Sequence, residues 1–153
     1  MKKYELTKET IKFKDKTLYR IKALKEFKNV KVSELGGYIE SEDNLSQDGT
    51  CWVYGFARVF NNAKIFDNAK VYDNAKVYGN AQVYENAQVW DNAQIYDTAW
   101  VFGYAEVYGN AKVTGNVKIP SHVLINRNIK ITNQIDLEKY LNKQRLIEAI
   151  CNL

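Results

Sequence analysis

Hydrophobic and polar positions recur along this chain with a period of six. Val53, Val59, Ile65, Val71, Val77, Val83, Val89, Ile95, Val101, Val107 and Val113 follow one another at that interval without a gap. Four residues after each of the first ten, from Ala57 to Ala111, comes an alanine. A period of six fits neither an α-helix nor a flat alternating strand by itself. It fits a short strand followed by a tight corner. Alanine, an outward residue and the aliphatic make a strand with two inward side chains, and the next residues turn. Three such sides close a triangle of about eighteen residues, whose coils stack about 4.8 Å apart through parallel strand hydrogen bonds. The expected fold is all-β, a three-sided prism of about five coils.

The corners carry their own pattern. Asn62, Asn68, Asn74, Asn80, Asn86, Asn92, Asn110 and Asn116 recur there, mostly preceded by Asp, Gly or Glu. Asparagine tolerates the left-handed backbone conformation, so these residues are expected to take it. Stacked asparagines are also expected to form amide ladders. Just after each core aliphatic stands an aromatic, from Tyr54 to Tyr108. On an eighteen-residue coil these fall into three columns: Tyr54, Tyr72, Trp90, Tyr108; Phe60, Tyr78, Tyr96; and Phe66, Tyr84, Phe102.

The grid continues through Ile119, Ile125 and Ile131, with Val117, Val123, Ile129 and Ile135 at the former alanine positions. Upstream, Ile39 and Leu45 are six apart, but the step from Gly49 to Ala57 is two residues too long. An irregular first coil is therefore expected over 35–51. Before it, Ile11–Lys14 and Thr17–Ala23 read as a hairpin that covers an exposed strand edge. After the prism, Leu137, Tyr140, Leu141, Ile147, Ile150 and Leu153 lie at helical spacing, with Asn133 or Asp136 as the capping signal. The expected organisation is a basic cap over 1–34, a β-helix over 35–135 and a C-terminal helix over 136–153.

The pattern [Val/Ile]-x-x-x-[Ala/Val]-x over about 53–135 resembles the bacterial hexapeptide-repeat family, whose members form left-handed parallel β-helices. That resemblance implies a left-handed parallel β-helix here and makes assembly into homo-oligomers an expectation. The run from Leu35-Gly36-Gly37-Tyr38 to Leu45-Ser46, followed by Cys51-Trp52-Val53-Tyr54-Gly55, looks like small hexapeptide-repeat proteins of phages and prophages. The family departs from this chain in one respect, preferring a small residue where an aromatic stands here.

Charge is unevenly placed. The net charge is +4, yet residues 1–31 hold eleven Lys or Arg against four acids. Lys12, Lys14, Lys16, Arg20 and Lys22 are the candidates for nucleic-acid contact, with salt-sensitive affinity expected. No apolar run resembles a membrane span or signal peptide. Cys51 and Cys151 match no metal or redox spacing, which suggests reduced thiols in a cytoplasmic protein.

The catalytic members that the family resemblance brings in are acyltransferases, which use a histidine base and a loop extruded from the coils. Here no hexad between Val53 and Ile131 is interrupted, and the sole histidine, His122, falls at a corner after Pro120-Ser121. A zinc site of three histidines has too few ligands to form. The expectation is a non-enzyme with no cofactor and no metal. What remains is surface. Trp100 replaces the usual Lys or Gln of its strand, Phe56 and Tyr104 replace corner asparagines, and Trp52 and Trp90 add large rings. These five are the candidate partner-binding residues. From the phage resemblance, the expected partner is a bacterial host protein, such as a component of antiviral defence. An acyltransferase-like enzyme and a nucleic-acid-binding protein are the alternatives.

Overall fold

A computed structural model describes residues 1–153 and has the expected architecture, a parallel β-helix of about five coils with one C-terminal helix. Fourteen two-residue strands, from Trp52–Val53 to Lys130–Ile131, start six residues apart. Strand partners lie one coil apart, as in Val71 with Val89 and Val89 with Val107. Every aliphatic on the grid from Val53 to Ile131 is buried, and so is every alanine from Ala57 to Ala111. Each buried aliphatic contributes about 1.5–3 kcal/mol relative to exposure.

The three sides differ in their outward residues. The first carries Trp52, Lys70, Gln88, Glu106 and Leu124; the second Arg58, Lys76, Gln94, Lys112 and Lys130; the third Lys64, Gln82, Trp100 and Lys118.

The corners depart from expectation in two ways. The left-handed residue is not the asparagine but its predecessor: Asn61, Asp67, Asp73, Glu85, Asp91 and Asp97 have φ between 56 and 59°, and glycines fill the same position elsewhere. Nor do asparagines form amide ladders. The carboxylates do the linking: Asp67 accepts from the Glu85 N–H at 3.1 Å, Asp73 from Asp91 at 3.3 Å and Asp91 from Gly109 at 3.0 Å. A short carboxylate reaches its neighbouring coil's amide from the left-handed position, while the asparagine that follows needs no special backbone. At Pro120 the corner changes, and the positive φ moves to His122, one residue later than the grid predicts.

At the N-terminal end each side is covered differently. Strand β1 (Tyr4–Phe13) pairs antiparallel with β2 (Lys16–Ala23), and β2 pairs with β3 (Leu35–Ile39), extending the second side to eight strands. The hairpin begins at Tyr4, earlier than the sequence pattern indicated. On the third side, buried Asn44 donates to the Asn61 and Ala63 carbonyls, and Leu45 bridges to Ile65. On the first side lies Lys3, which is fully buried although it belongs to the basic N-terminal cap. Its ammonium donates to the Cys51 carbonyl at 2.8 Å and reaches the Asp48 and Gly49 carbonyls at 3.4 Å. The irregular coil explains this. Ile39 pairs with Val59, two residues more than one regular coil, and the extra backbone between Leu45 and Cys51 needs a donor.

At the other end the prism stops at Ile131. Ile135 is not an interior residue; it is 64% exposed on α1 (Gln134–Cys151), which starts two residues before the expected boundary. Asn133 caps the helix by accepting from the Asp136 N–H at 2.9 Å. Only the first turns of the apolar stripe pack: Leu137 and Tyr140 are buried and Leu141 is partly so, whereas Ile150 and Leu153 are exposed. Tyr140 donates to the Leu124 carbonyl at 3.1 Å, closing the first side's edge. No helix is long and apolar enough to cross a membrane.

Candidate interaction surfaces

The aromatic columns form as stacks. Tyr72, Trp90 and Tyr108 lie nearly parallel, with centroids 5.5 and 4.3 Å apart. Phe60, Tyr78 and Tyr96 stack at 4.9 Å per step, and Phe66, Tyr84 and Phe102 at 4.8 and 5.3 Å. Such pairs add about 0.5–1.5 kcal/mol each beyond buried area. Two of the rings reach back across their own side: the Tyr72 hydroxyl donates to Gln88 at 2.9 Å and that of Tyr78 to Gln94 at 3.1 Å. Burial, reinforced by Glu106, Asp73 and Asp91, pushes the Tyr72 hydroxyl up to about 12.

The first column breaks once. Tyr54 meets Tyr72 edge-on, at 80°, and beside that break opens a cleft of about 740 Å³. Tyr54, Phe56, Tyr72, Asp73, Gln88 and Asp91 line it, with Asn29 of the loop before β3 at its rim. Two further hollows of about 370 Å³ each follow along the same side. One shares Gln88 with the cleft and adds Tyr104, Glu106 and His122; the other shares His122 and Leu124 with it and ends on α1 at Arg145 and Glu148. The first side is thus a trough running from the N-terminal loop to the helix.

Of the five residues singled out from sequence, two line these hollows, and Trp90 stands on the same side without lining any. Phe56 is 63% exposed in the cleft, Tyr104 is 60% exposed and stacks on His122 at 5.6 Å, and Trp90 is half-buried between Tyr72 and Tyr108. Trp100 lies on the third side instead, its edge on Tyr84 at 6.2 Å and the Lys118 ammonium over its ring at 4.6 Å. Trp52 is no contact residue at all. It is fully buried, roofed by Tyr4 at 6.1 Å and Phe27 at 5.3 Å, because the N-terminal segment folds over the first strand of that side. Its Nε1 is buried without a hydrogen-bond partner.

The hairpin cations also divide. Lys16, Arg20 and Lys22 pair with Glu40, Glu9 and Glu5 at 3.1, 3.2 and 3.8 Å. Lys12 is in register with Thr17, on the strand face opposite Phe13, and donates to the Thr17 hydroxyl. Lys14, like Lys12, has no carboxylate partner; its ammonium lies over Phe13 and Tyr78. The unpaired cations that matter come from the prism itself, as Arg58, Lys76, Lys112 and Lys130, and sequence reading passed over them. Their signal was present, since all four occupy the outward position of one side once the hexads are written in three columns.

Other chemistry is sparse. His122 is exposed at its corner, and no group of three His, Cys, Asp or Glu side chains converges as a metal-holding set. Cys51 is buried and Cys151 exposed, both as free thiols. Burial pushes the Cys51 thiol up, against the opposing pull of Lys3, whose ammonium stands 3.3 Å from its sulfur. Compared with protein-family models and with curated proteins, the chain matches none.

Proposed function

We propose that this chain is a non-catalytic interaction protein that binds another protein along the trough of its first side. What carries the reading is the trough itself, where three contiguous hollows are bordered by the exposed rings of Phe56 and Tyr104. Exposed aromatics are enriched at contact surfaces, and such rings commonly dominate binding energy. The uninterrupted coils support the same reading, because no extruded loop shapes a substrate pocket beside His122. Membership of the hexapeptide-repeat proteins, a phage or prophage source and a cytoplasmic bacterial host protein as partner belong to this proposal. They rest on the motif resemblance. Homo-oligomer formation belongs to it too, with the uncovered apolar residues of α1 as the natural contact.

The test is affinity capture from bacterial lysate with three forms of the protein. Wild type and Trp100→Ala should retain a common partner, and Phe56→Ser/Tyr104→Ser should lose it. Truncating a central aromatic typically costs about 2 kcal/mol or more, roughly a thirtyfold loss of affinity. Retention of every partner by the double variant would remove the trough from the account. Saturable acyl-coenzyme A binding lost with His122→Ala would replace it with the acyltransferase reading.

A further inference from the structure

The second side carries a feature unrelated to the trough. Arg58, Lys76, Gln94, Lys112 and Lys130 are successive strand partners, so their side chains leave the prism in one straight column. The column continues over β3 and β2 through Tyr38 and Arg20. With neighbouring strands about 4.8 Å apart, it runs about 29 Å from Arg20 to Lys130.

No carboxylate neutralises Arg58, Lys76, Lys112, Lys130 or Lys14; all four ion pairs of the molecule involve other cations. Three of these charges converge on one ring. The Lys14 ammonium, the Arg58 guanidinium and the Lys76 ammonium lie 5.4, 4.6 and 5.6 Å from the centroid of Phe13. Phe13 is itself held edge-on against buried Phe60 at 5.3 Å. The ring's negative faces offset part of the mutual repulsion. The remainder shows at Lys76, whose ammonium is pushed down by burial and then by Arg58 and Lys14. An anion seated among the three would relieve that repulsion.

We propose that the second side binds the phosphodiester backbone of a single-stranded nucleic acid, with Lys14, Arg58 and Lys76 around Phe13 as the principal phosphate site and Lys112 and Lys130 as a second contact. A small phosphate compound would engage the cluster and leave the far end of the column unused. An extended polyanion engages both. The column is straight and flat, so a flexible single strand can follow it, whereas the phosphates of a duplex curve away from such a surface. An anionic membrane fits less well, because Tyr78 and Tyr96, the rings beside the column, are half-buried in their stack and offer nothing to insert. The contact is independent of sequence, since cations on phosphates read no bases. It occupies a different side from the protein-binding trough, and its failure would leave that reading untouched.

The test is fluorescence anisotropy with labelled 20-nucleotide single strands of DNA and RNA between 50 and 200 mM salt. Five cation–phosphate contacts give a slope of log K against log salt of about −3.5, or about a hundredfold loss of affinity across that range. Arg58→Gln/Lys76→Gln and Lys112→Gln/Lys130→Gln should each weaken binding and reduce the slope by about 1.4. Lys64→Gln/Lys70→Gln removes the same charge from the other two sides and should change neither. The Lys112/Lys130 pair stands away from the hairpin, so its result does not depend on hairpin folding. The proposal is overturned by absence of saturable binding at 50 mM salt, by equal weakening in the Lys64/Lys70 control, or by tighter binding of a 20-base-pair duplex. Flotation with phosphatidylserine vesicles that the oligonucleotide cannot displace would assign the side to a membrane instead.

Discussion

Replacing Asp91 and replacing its neighbour Asn92 should have very unequal consequences, although both are polar corner residues of the same coil. Asp91 holds φ at 56°, and its Oδ2 accepts the Gly109 N–H of the next coil at 3.0 Å. Asn92 has an ordinary backbone, is exposed, and its side chain makes no hydrogen bond. Alanine at 91 would lose the inter-coil bond, about 0.5–1.5 kcal/mol, and adopt a left-handed conformation costing about 1–2 kcal/mol. The expected loss is therefore about 2–3 kcal/mol. Glycine at 91 is at ease with positive φ, so Asp91→Gly should cost about 1 kcal/mol, the bond alone. Asn92→Ala should stay within about 0.5 kcal/mol of wild type. Equilibrium urea unfolding followed by circular dichroism measures all three, with unchanged m values showing that stability alone has moved. If Asn92→Ala is as destabilising as Asp91→Ala, the assignment of the corner's work to the carboxylate is wrong.

Other expectations follow from the ends and the columns. Lys3→Met removes the donor to the carbonyls of the irregular coil and should destabilise by about 1–3 kcal/mol; hydrogen exchange should rise around residues 46–52 first, and unchanged protection there would refute the role given to Lys3. Tyr72 is held neutral up to about 12 by burial. Its stabilising contribution is therefore complete below the unfolded tyrosine value near 10 and is lost as pH rises through that interval; Tyr72→Phe should resist alkaline unfolding better than wild type. The Asp136 carboxyl is held below its usual range by the Thr132 hydroxyl and amide. Its support for the helix is present at neutral pH and lost as pH falls through its depressed value, so the helical signal should decline in acid, and less so in Asp136→Asn.

The prism was legible because one constraint repeats many times. A core aliphatic and an alanine in every hexad leave the chain little choice of period, and the irregular first coil betrayed itself by two surplus residues. The details that escaped depend on atoms rather than on residue classes. Asparagine and aspartate are both tolerated at positive φ, and only the inter-coil distance decides which of Asp91 and Asn92 takes it. Trp52 carried the same outward signal as Lys70, but burial came from Tyr4 and Phe27, remote in sequence. Lys3 was one lysine among eleven; its burial depends on the loop it caps. The charge column was missed for a different reason, because cations eighteen residues apart do not look like a cluster until the chain is wound.

The two surplus residues of the first coil also answer a counting problem. Any hexad from Val53 to Val113 could stack on almost any other with the same interior, so a coil formed one hexad out of step would pack nearly as well as the native one. Regularity alone leaves the winding without an origin. The segment between Leu45 and Cys51 supplies one, since only there can Lys3 and Gln47 find their partners, and Pro120 with its altered corner marks the opposite end. The irregular coil therefore acts as an index mark, selecting one threading of the chain from several that the repeat would otherwise allow.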